Sequence, residues 1–513
     1  MAAFLVHFWK THPALFYALP CLFSCYAALS PSWLLLFPCI ALWLPCWIAN
    51  WKIPLFLNTA LFLSGWGFFT ATHRLPPLPP EGIEGIAHVQ IEAIQIQHAP
   101  FGKRWLYRCH LVHFFGYEPL KTGLAARPLV SAAPCIIPIA CKKQLPRPPA
   151  DRDYFISSRL VQKNGSYQLK PQKNINWQPI PKTWSWAEKR VEWKKTAADW
   201  IRLKTPQPLA AAFLAGLATG DFEEQGLRGE FARFGLLHLI AISGFHFSAL
   251  AVMLGLTLHF IKNLNLRAII LSALLGMYFF FLGFTPSIFR AWLMATCGIL
   301  GGILEKPGNS LNFLGAALLL ICIVDPFACQ TIGFQFSFLA TAAILLLYQP
   351  LVEGLDFLFA KRSLSQLLEM NRLNQHGYLL LSLFKQALAL SLAINLFVFP
   401  LTLYHFHQFP WMGLFYNLFF PLLATVSLFL LIGSSFLFWV PFLGDALYSL
   451  NGTYTDLILK LTYQVPPSAG EILHIESFSP PLLVLYLCGI SLASILAFTN
   501  PGQKRKNLEN QSV

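Results

Sequence analysis

The sequence predicts a polytopic α-helical membrane protein with an inserted small β-domain. Of 513 residues, 56% are hydrophobic and 12% are charged, against roughly 25% charged residues in ordinary soluble domains. The mean hydropathy is +0.54, and several apolar stretches reach about 20 residues, the length of a membrane-spanning helix. One long hydrophilic segment, 75–205, interrupts them. A transmembrane β-barrel is excluded because the apolar stretches do not alternate residue by residue.

Three hydrophobic segments come first, near residues 12–30, 32–50 and 53–72. We therefore expect about three transmembrane helices in 1–74. We expect no cleavable signal peptide, because the first stretch leads straight into the next without a small-residue cleavage site. A proline-rich run, 75–80, then stiffens the exit into water.

Residues 75–182 are expected to form a basic β-rich domain outside the cytoplasm. Apolar and polar residues alternate over 83–97, which is typical of a strand. Further strand-like pieces lie at 105–115, 130–139 and 167–169. An OB-like barrel is one fold that fits such a pattern.

Most of the net charge of +14 lies in this region. Between His73 and Thr205 there are 21 Lys and Arg residues against 9 Asp and Glu residues. Such a surplus favours a polyanion or an anionic lipid surface as partner. The alternative is a loop whose positive charge only fixes topology, but that rule holds for loops of roughly 60 residues or fewer.

Residues 183–205 carry tryptophans and aliphatic residues at near-helical spacing between Lys and Arg, which predicts an amphipathic interfacial helix. A simple membrane anchor is the alternative. From 206 to 500 the chain is almost wholly apolar. The candidate membrane spans in this region lie near 208–220, 235–260, 266–284, 288–304, 309–324, 330–348, 378–403, 409–436 and 480–499.

The tail 501–513 contains Lys504, Arg505 and Lys506, which favours a cytoplasmic C-terminus. Lys10 favours the same side for the N-terminus, and three spans then place the β-domain outside the cytoplasm.

The 11 cysteines show no CxxC motif or zinc-ligand spacing, so we expect no metal site and no cofactor. Most lie in apolar helices, where cysteine behaves as a small hydrophobic residue. Cys109, Cys135 and Cys141 instead lie in the hydrophilic segment. One pair among them can form a disulfide in an oxidising compartment, but the spacing does not choose the pair.

Four polar signatures punctuate the helical half. The first is 236–248, where His238, Ser243, Gly244 and His246 interrupt an apolar stretch. Polar groups at such depth usually face a bundle interior or a wet cavity. A glycine permits a helix break, which is tolerated where backbone lines a cavity.

The other three signatures follow in order along the chain. The second, 283–294, holds an arginine within a span, and the third, 325–340, begins with Asp-Pro. The fourth consists of two Asn-to-Pro segments, 395–400 and 417–421. Taken singly, each has a structural explanation: a helix cap, close helix packing, or a buried polar group satisfied by a neighbour.

Taken in order, the signatures resemble the ComEC competence family, most strongly over 206–480. The motif of 235–246, Gly-Leu-x-His-Leu-x-Ala-Ile-Ser-Gly-x-His, carries most of this resemblance. The resemblance implies an inner-membrane channel for single-stranded DNA in natural transformation. It also implies the order of leading spans, extracytoplasmic OB-like domain, amphipathic helix and channel bundle.

The resemblance implies a set of channel-core residues: His238, Ser243, Gly244, His246, Arg290, Asp325, Gln335, Ser337, Asn395 and Asn417. Asp325 is the carboxylate expected to pair with Arg290. For DNA capture by the β-domain, the basic candidates are Lys103, Arg104, Arg108, Lys142 and Lys143. The implied partners are single-stranded DNA, membrane lipid, a cytoplasmic helicase or ATPase, and a periplasmic DNA receptor. The oligomeric state is not implied.

One departure from the family concerns a nuclease. Many members carry a C-terminal metallo-β-lactamase-like domain, but this sequence has no His-x-His-x-Asp-His motif, and His405-Phe-His407 is the nearest match. We therefore expect a channel and not an enzyme.

Two other function classes fit parts of the pattern. A secondary transporter also uses broken helices with polar centres, but no inverted repeat is visible. An intramembrane hydrolase using Ser243 with His246 or His238 leaves the other three signatures unexplained.

Overall fold

The computed structural model describes the following residues: 2–29, 32–73, 78–99, 102–117, 128–140, 153–163, 166–171, 177–180, 184–222, 224–240, 244–303, 308–440, 442–463 and 472–498. The N-terminal part contains helices α1 (Ala2–Thr11), α2 (Pro13–Leu29), α3 (Leu36–Ile48) and α4 (Lys52–His73). The three predicted hydrophobic segments are thus confirmed as helices, and α1 precedes them. Asn58 joins them, because its amide accepts from Trp43 at 2.7 Å and donates to the Phe16 carbonyl at 3.0 Å.

The hydrophilic segment folds into a small barrel-like β-domain, the barrel. Its strands are β1 (Ile83–Ala99), β2 (Gly102–Gly116), β3 (Val130–Ala140), β4 (Tyr154–Lys163), β5 (Ser166–Pro171) and β6 (Trp177–Pro179). The strand order β1-β2-β3-β5-β4 closes on itself because β1 also pairs with β4. Only the β3–β5 contact is parallel among these pairings.

The barrel has its own core. Tyr107, Phe114 and Tyr167 are fully buried there, as the alternation along the strands requires. Sequence patterning predicted β1, β2, β3 and β5 but missed β4 and β6. In β4, the run from Ser157 to Arg159 breaks the apolar pattern, although Ser158 is itself buried.

Helix α5 (Trp186–Lys204) is the predicted amphipathic helix, and it connects the barrel to the helical bundle. Ser185 caps it, accepting from the Ala187 amide and donating to the Ile91 carbonyl of β1, both at 3.1 Å. Arg190 donates to the Glu92 carbonyl at 2.7 Å. Trp186 contacts the ring of Phe280 in the bundle at a centroid distance of 5.1 Å.

The remaining helices form the bundle: α6 (Pro208–Thr219), α7 (Gln225–Arg233), α8 (Leu237–Ile240), α9 (Gly244–Thr257), α10 (Leu264–Leu282), α11 (Pro286–Ile303), α12 (Ser310–Val324), α13 (Ile332–Gly354), α14 (Leu364–Glu369), α15 (Arg372–Phe406), α16 (Gly413–Phe436), α17 (Leu443–Tyr463) and α18 (Pro480–Phe498). A 3₁₀ turn, Pro326–Gln330, joins α12 to α13. Two short strands, β7 (Gln408–Pro410) and β8 (Ile472–His474), pair with each other.

Within the described residues, seven helices are long and apolar enough to cross a membrane: α4, α10, α11, α13, α15, α16 and α18. The bent pair α1 and α2, with an angle of 96° between them, makes an eighth candidate. These helices fit a multi-pass membrane protein.

The span predicted near 235–260 contains α8 and α9, and residues 241–243 between them fall outside the described residues. Helix α17 was not predicted, because Asp445, Asp456 and Lys460 lower the hydropathy of an otherwise helical segment.

Candidate functional site

The first polar signature includes the end of α8 and the beginning of α9. Helix α8 ends at Ile240 and α9 begins at Gly244, while Ser243 falls outside the described residues. Ser248, one turn into α9, donates its hydroxyl to the Gly244 carbonyl at 3.0 Å. Gly244 itself faces Arg290 of α11. A β-carbon at Gly244 would lie 3.1 Å from the Nη2 atom of that arginine.

Arg290 is buried, with 8% of its surface exposed. Its Nε atom donates to the Ser337 hydroxyl at 2.9 Å, and its Nη1 atom lies 3.8 Å from the Met294 sulfur. Among the described residues, no carboxylate lies within ion-pair distance of it. Burying an unpaired charge costs free energy. A buried arginine of this kind therefore indicates either an interaction partner or a functional site.

The expected pairing of Arg290 with Asp325 is wrong. Asp325 instead faces the barrel, where its carboxylate lies 3.6 Å from the guanidinium of Arg108. The same carboxylate accepts from the Ala328 amide at 3.2 Å and so caps the 3₁₀ turn. Asp325 therefore lies at a contact between barrel and bundle, away from the guanidinium of Arg290.

The second and third signatures meet where α11 and α13 begin. Ser287 donates its hydroxyl to the Gly333 carbonyl at 3.2 Å. Small residues at both positions permit this approach between the helices. The contact holds the first turns of α11 and α13 together, which brings Arg290 within reach of Ser337.

Gln335 belongs to a separate hydrogen-bond chain, the Gln335 chain, made of His405, Gln335, Tyr26 and the Cys329 carbonyl. His405 Nε2 lies 2.7 Å from Gln335 Oε1, and Gln335 Nε2 donates to the Tyr26 hydroxyl at 3.0 Å. Tyr26 donates to the Cys329 carbonyl at 2.5 Å. Because an amide oxygen only accepts, His405 carries its proton on Nε2 in this arrangement. The chain ties α15, α13 and α2 to the 3₁₀ turn.

The two histidines of the first signature have different surroundings. His246 is 3% exposed and lines a cavity of about 210 Å³. Tyr278, Leu431 and Ser435 are among the other lining residues, and Ile201 of α5 and Ala218 of α6 also contribute. His238 is exposed, and its Nδ1 lies 3.2 Å from the Gly235 carbonyl.

The fourth signature divides into two separate places. Asn395 donates to the carbonyl of Ser391, one turn earlier in α15, at 2.8 Å. Gly413 packs against the backbone of Gly235, and the Asn417 side chain lies close to Gly413. The buried Oδ1 atom of Asn417 has no hydrogen-bond partner among the described residues.

The candidate residues of the barrel are only partly described. Arg108 is engaged by Asp325, while Lys103 and Arg104 lie on β2 near its start, with only their backbone described. Lys142, Lys143 and Cys141 fall outside the described residues. Cys109 lies directly opposite Cys135 across β2 and β3, and both are buried free thiols. Burial raises the pKa of the Cys109 thiol well above its ordinary value.

Sequence reasoning missed the roles of Tyr26 and His405 as site residues. A signal was present for Tyr26, since a phenol inside an apolar span needs a hydrogen-bond partner when buried. His405 was noted only as part of a weak metal-motif match. Neither assignment was within reach of spacing alone, because the two residues are 379 positions apart from each other in the chain.

The fold and this site fit one class: a multi-pass helical membrane protein with an inserted barrel and a buried arginine where α9, α11 and α13 approach one another. A family model described as Competence protein matches residues 217–499, more than half of the chain. The chain therefore belongs to the competence protein family.

A curated relative is ComE operon protein 3 of Bacillus subtilis (strain 168), with 26% identity over 211 residues. The aligned region covers 39% of this chain and 23% of that protein, so the chain matches about a quarter of the relative's length. No solved structure matches the chain.

Proposed function

We propose that the chain is an inner-membrane channel that conducts single-stranded DNA into the cytoplasm during natural transformation. The observation that carries this proposal is the buried guanidinium of Arg290, fixed by Ser337 and set against the backbone of Gly244. A buried arginine without a carboxylate partner among the described residues is suited to bind a transient anion. Membership of the competence family makes a nucleic-acid phosphate the natural anion.

The guanidinium has the chemistry that a phosphate path requires. Its planar fork presents several donors, and the Nη2 atom is directed at the backbone of Gly244, where no side chain intervenes. Bidentate contacts between arginine and phosphate are short, directional and sequence-independent. Because Gly244 has no side chain, the guanidinium can approach α9 closely.

The cavity beside His246 marks where the path runs in the proposal. At about 210 Å³ it is smaller than the roughly 300–1,000 Å³ of ordinary ligand pockets. Conduction in this proposal requires α9, α10 and α16 to move apart. His246 faces this cavity, and Gly244 lies half a turn before it.

The barrel is proposed to capture DNA before entry. The closed order β1-β2-β3-β5-β4, with β3 and β5 parallel, supports an OB-like fold. The surplus of positive charge in this region supplies phosphate contacts. Aromatic side chains can stack on unpaired bases without reading sequence. The proposal places the barrel outside the cytoplasm and the C-terminus inside it.

The remaining partners follow from this direction of transport. A DNA receptor on the barrel side would deliver the strand, and a cytoplasmic helicase or ATPase would pull it inward. In this proposal, membrane lipid surrounds the bundle and α5 lies at the membrane surface. Trp186 and Trp193 of α5 are partly exposed and can contact lipid headgroups there.

The test is uptake of labelled DNA by cells that contain or lack this chain, scored separately for the periplasm and the cytoplasm. Loss of only the cytoplasmic signal in its absence supports the channel. Normal cytoplasmic entry without the chain would show that another protein conducts DNA. Loss of uptake of a small anionic solute, with DNA entry intact, would favour a secondary transporter.

A further inference from the structure

Four cysteines meet at one point where the N-terminal spans contact the bundle. The sulfur atoms of Cys21, Cys25 and Cys322 lie within 4.8 Å of one another. The sulfur of Cys329 lies 3.7 Å from that of Cys322. We call these four residues the thiol cluster.

We propose that the thiol cluster binds one soft metal ion, Zn²⁺ or Cu⁺, through cysteine thiolates. Four thiolates around one ion are typical of structural zinc sites, and thiolate-rich sites also select Cu⁺. With metal–sulfur bonds of about 2.3 Å, a tetrahedral zinc site has sulfur–sulfur edges of about 3.8 Å. The observed separation of 3.7 Å between Cys322 and Cys329 matches such an edge.

The local structure explains how the four sulfurs converge. Cys21 and Cys25 are four residues apart in α2, so their side chains lie on one face of the helix. Cys322 ends the apolar face of α12, and Cys329 follows in the 3₁₀ turn capped by Asp325. The spacing Cys-x₃-Cys of Cys21 and Cys25 is within the range of zinc-ligand pairs, so the expectation that the cysteines show no zinc-ligand spacing is wrong for this pair.

Burial of the cluster suits a closed site with one opening. Cys25, Cys322 and Cys329 have no exposed surface, whereas Cys21 is half-buried. Only a single ion fits, because sulfurs within 4.8 Å of one another leave no room for the irons and sulfides of an iron–sulfur cluster. An ion can therefore enter the thiol cluster from the side where Cys21 lies.

Other arrangements of four cysteines fit the geometry less well. If the thiols were only packing residues, nothing would require all four sulfurs to turn toward one point. Cys21 and Cys25, on successive turns of one helix, are poorly placed for a disulfide with each other. The main alternative to metal binding is a disulfide between a cysteine of α2 and either Cys322 or Cys329. The experiment must distinguish these two arrangements.

A metal there would clamp two parts of the chain together. Helix α2 lies outside the matched family region, whereas Cys322 and Cys329 lie inside it. The backbone of Cys329 also ends the Gln335 chain through Tyr26. The ion would therefore fix the N-terminal spans against α12 and α13. This inference does not depend on the function proposed above.

The experiment measures metal in the full-length protein purified in detergent. Elemental mass spectrometry should find about one zinc or copper atom per chain. The element found identifies which of the two ions the site binds. After removal of the ion, Co²⁺ should produce the intense visible bands of tetrahedral thiolate coordination. A chelator should lower the thermal unfolding midpoint.

Matched variants make the result specific. The double substitution Cys21→Ser with Cys322→Ser removes one ligand from each side and should abolish stoichiometric metal and the Co²⁺ bands. The control, Cys297→Ser with Cys488→Ser, removes two half-buried thiols on α11 and α18 and should retain both. If the double variant does not accumulate, Cys21→Ser alone should lose its ion to a chelator at least tenfold faster than the native chain.

Two results would overturn the proposal. One is protein that binds neither Zn²⁺ nor Cu⁺ while all four thiols react with an alkylating agent after denaturation. The other is recovery of these cysteines as disulfides before reduction. Because metal content is measured without DNA, failure of the channel proposal leaves this test unaffected.

Discussion

The guanidinium of Arg290 rests against the backbone of Gly244, so that a β-carbon at residue 244 would lie 3.1 Å from Nη2. This relationship joins the first polar signature to the second through space. It explains the glycine at residue 244, because a β-carbon there would require the guanidinium, which also donates to Ser337, to shift by a few tenths of an ångström. The two signatures therefore form one site.

The first prediction concerns this contact. Gly244→Ala should displace the guanidinium and reduce cytoplasmic DNA entry about tenfold or more, the effect of roughly 1.4 kcal/mol on a barrier. The measurement is labelled-DNA entry, with membrane protein quantified in parallel. Gly255→Ala is the matched control on the same helix, because no atom lies within 4 Å of its new β-carbon. Equal loss in both variants would mean that α9 tolerates no alanine and that the contact is not specific.

The second prediction concerns the guanidinium itself. Arg290→Ala and His246→Ala should each abolish entry to the cytoplasm while DNA binding and membrane insertion persist. Arg290→Lys should rescue poorly, because one ammonium cannot donate to Ser337 and also present a fork to a phosphate. Normal transformation in the double alanine variant would remove both residues from the path. Transformation lost only in proportion to lost protein would give them a purely structural role.

The membrane class, most spans and most strands were predictable because they depend on local patterns. Apolar length predicts α10, α11 and α18, and period-two alternation predicts β1. Helix α17 was missed because its charged residues resemble a loop.

The polar signatures were visible in the sequence, but the contacts between them were not. The spacing of the signatures along the chain contains no information on which helices touch. Asp325 therefore looked like a partner for Arg290, while folding places it 3.6 Å from Arg108 of the barrel. The same limit hid the thiol cluster, because Cys25 and Cys322 are separated by nearly 300 residues.

The third prediction concerns the ion pair between Arg108 and Asp325. Both side chains are about one-quarter exposed, so a coupling energy of roughly 0–1 kcal/mol is expected in a double-mutant cycle. Arg108→Gln, Asp325→Asn and the combined variant should be compared by thermal unfolding at low and high salt. Arg159→Gln with Glu84→Gln is the control, since that pair lies within the barrel. Coupling that is unchanged by salt would argue against an electrostatic contact.

The fourth prediction concerns DNA capture. The full-length protein in detergent should bind single-stranded DNA with little sequence preference. Its affinity should fall linearly in log[salt], with a slope of roughly 0.7 for each phosphate contacted. Lys142→Gln with Lys143→Gln should reduce the slope, whereas Lys460→Gln, in α17 and paired with Asp456, should not. Absence of salt-sensitive binding at low ionic strength would contradict a capture role for the barrel.

The last prediction concerns Cys109 and Cys135, which face each other across β2 and β3. If the barrel lies in an oxidising compartment, they should form a disulfide worth about 2–4 kcal/mol. In denatured protein, both cysteines should fail to react with a thiol-labelling reagent before reduction and should react with it after reduction. Equal labelling of Cys109, Cys135 and Cys141 in both conditions would falsify the idea. Selective pairing of Cys135 with Cys141 would replace it.

The pH dependence of stability provides an independent check on the same pair. Burial raises the pKa of the Cys109 thiol, whereas an unfolded cysteine titrates near 8.5. The reduced barrel therefore keeps its full contribution from this thiol below about pH 8.5 and loses it progressively as the pH rises toward the raised value. In the disulfide-bonded barrel Cys109 has no thiol proton to lose, so the unfolding midpoint should not show this alkaline loss. Cys109→Ser should remove the alkaline loss from the reduced protein, and persistence of the loss in that variant would assign it to another group.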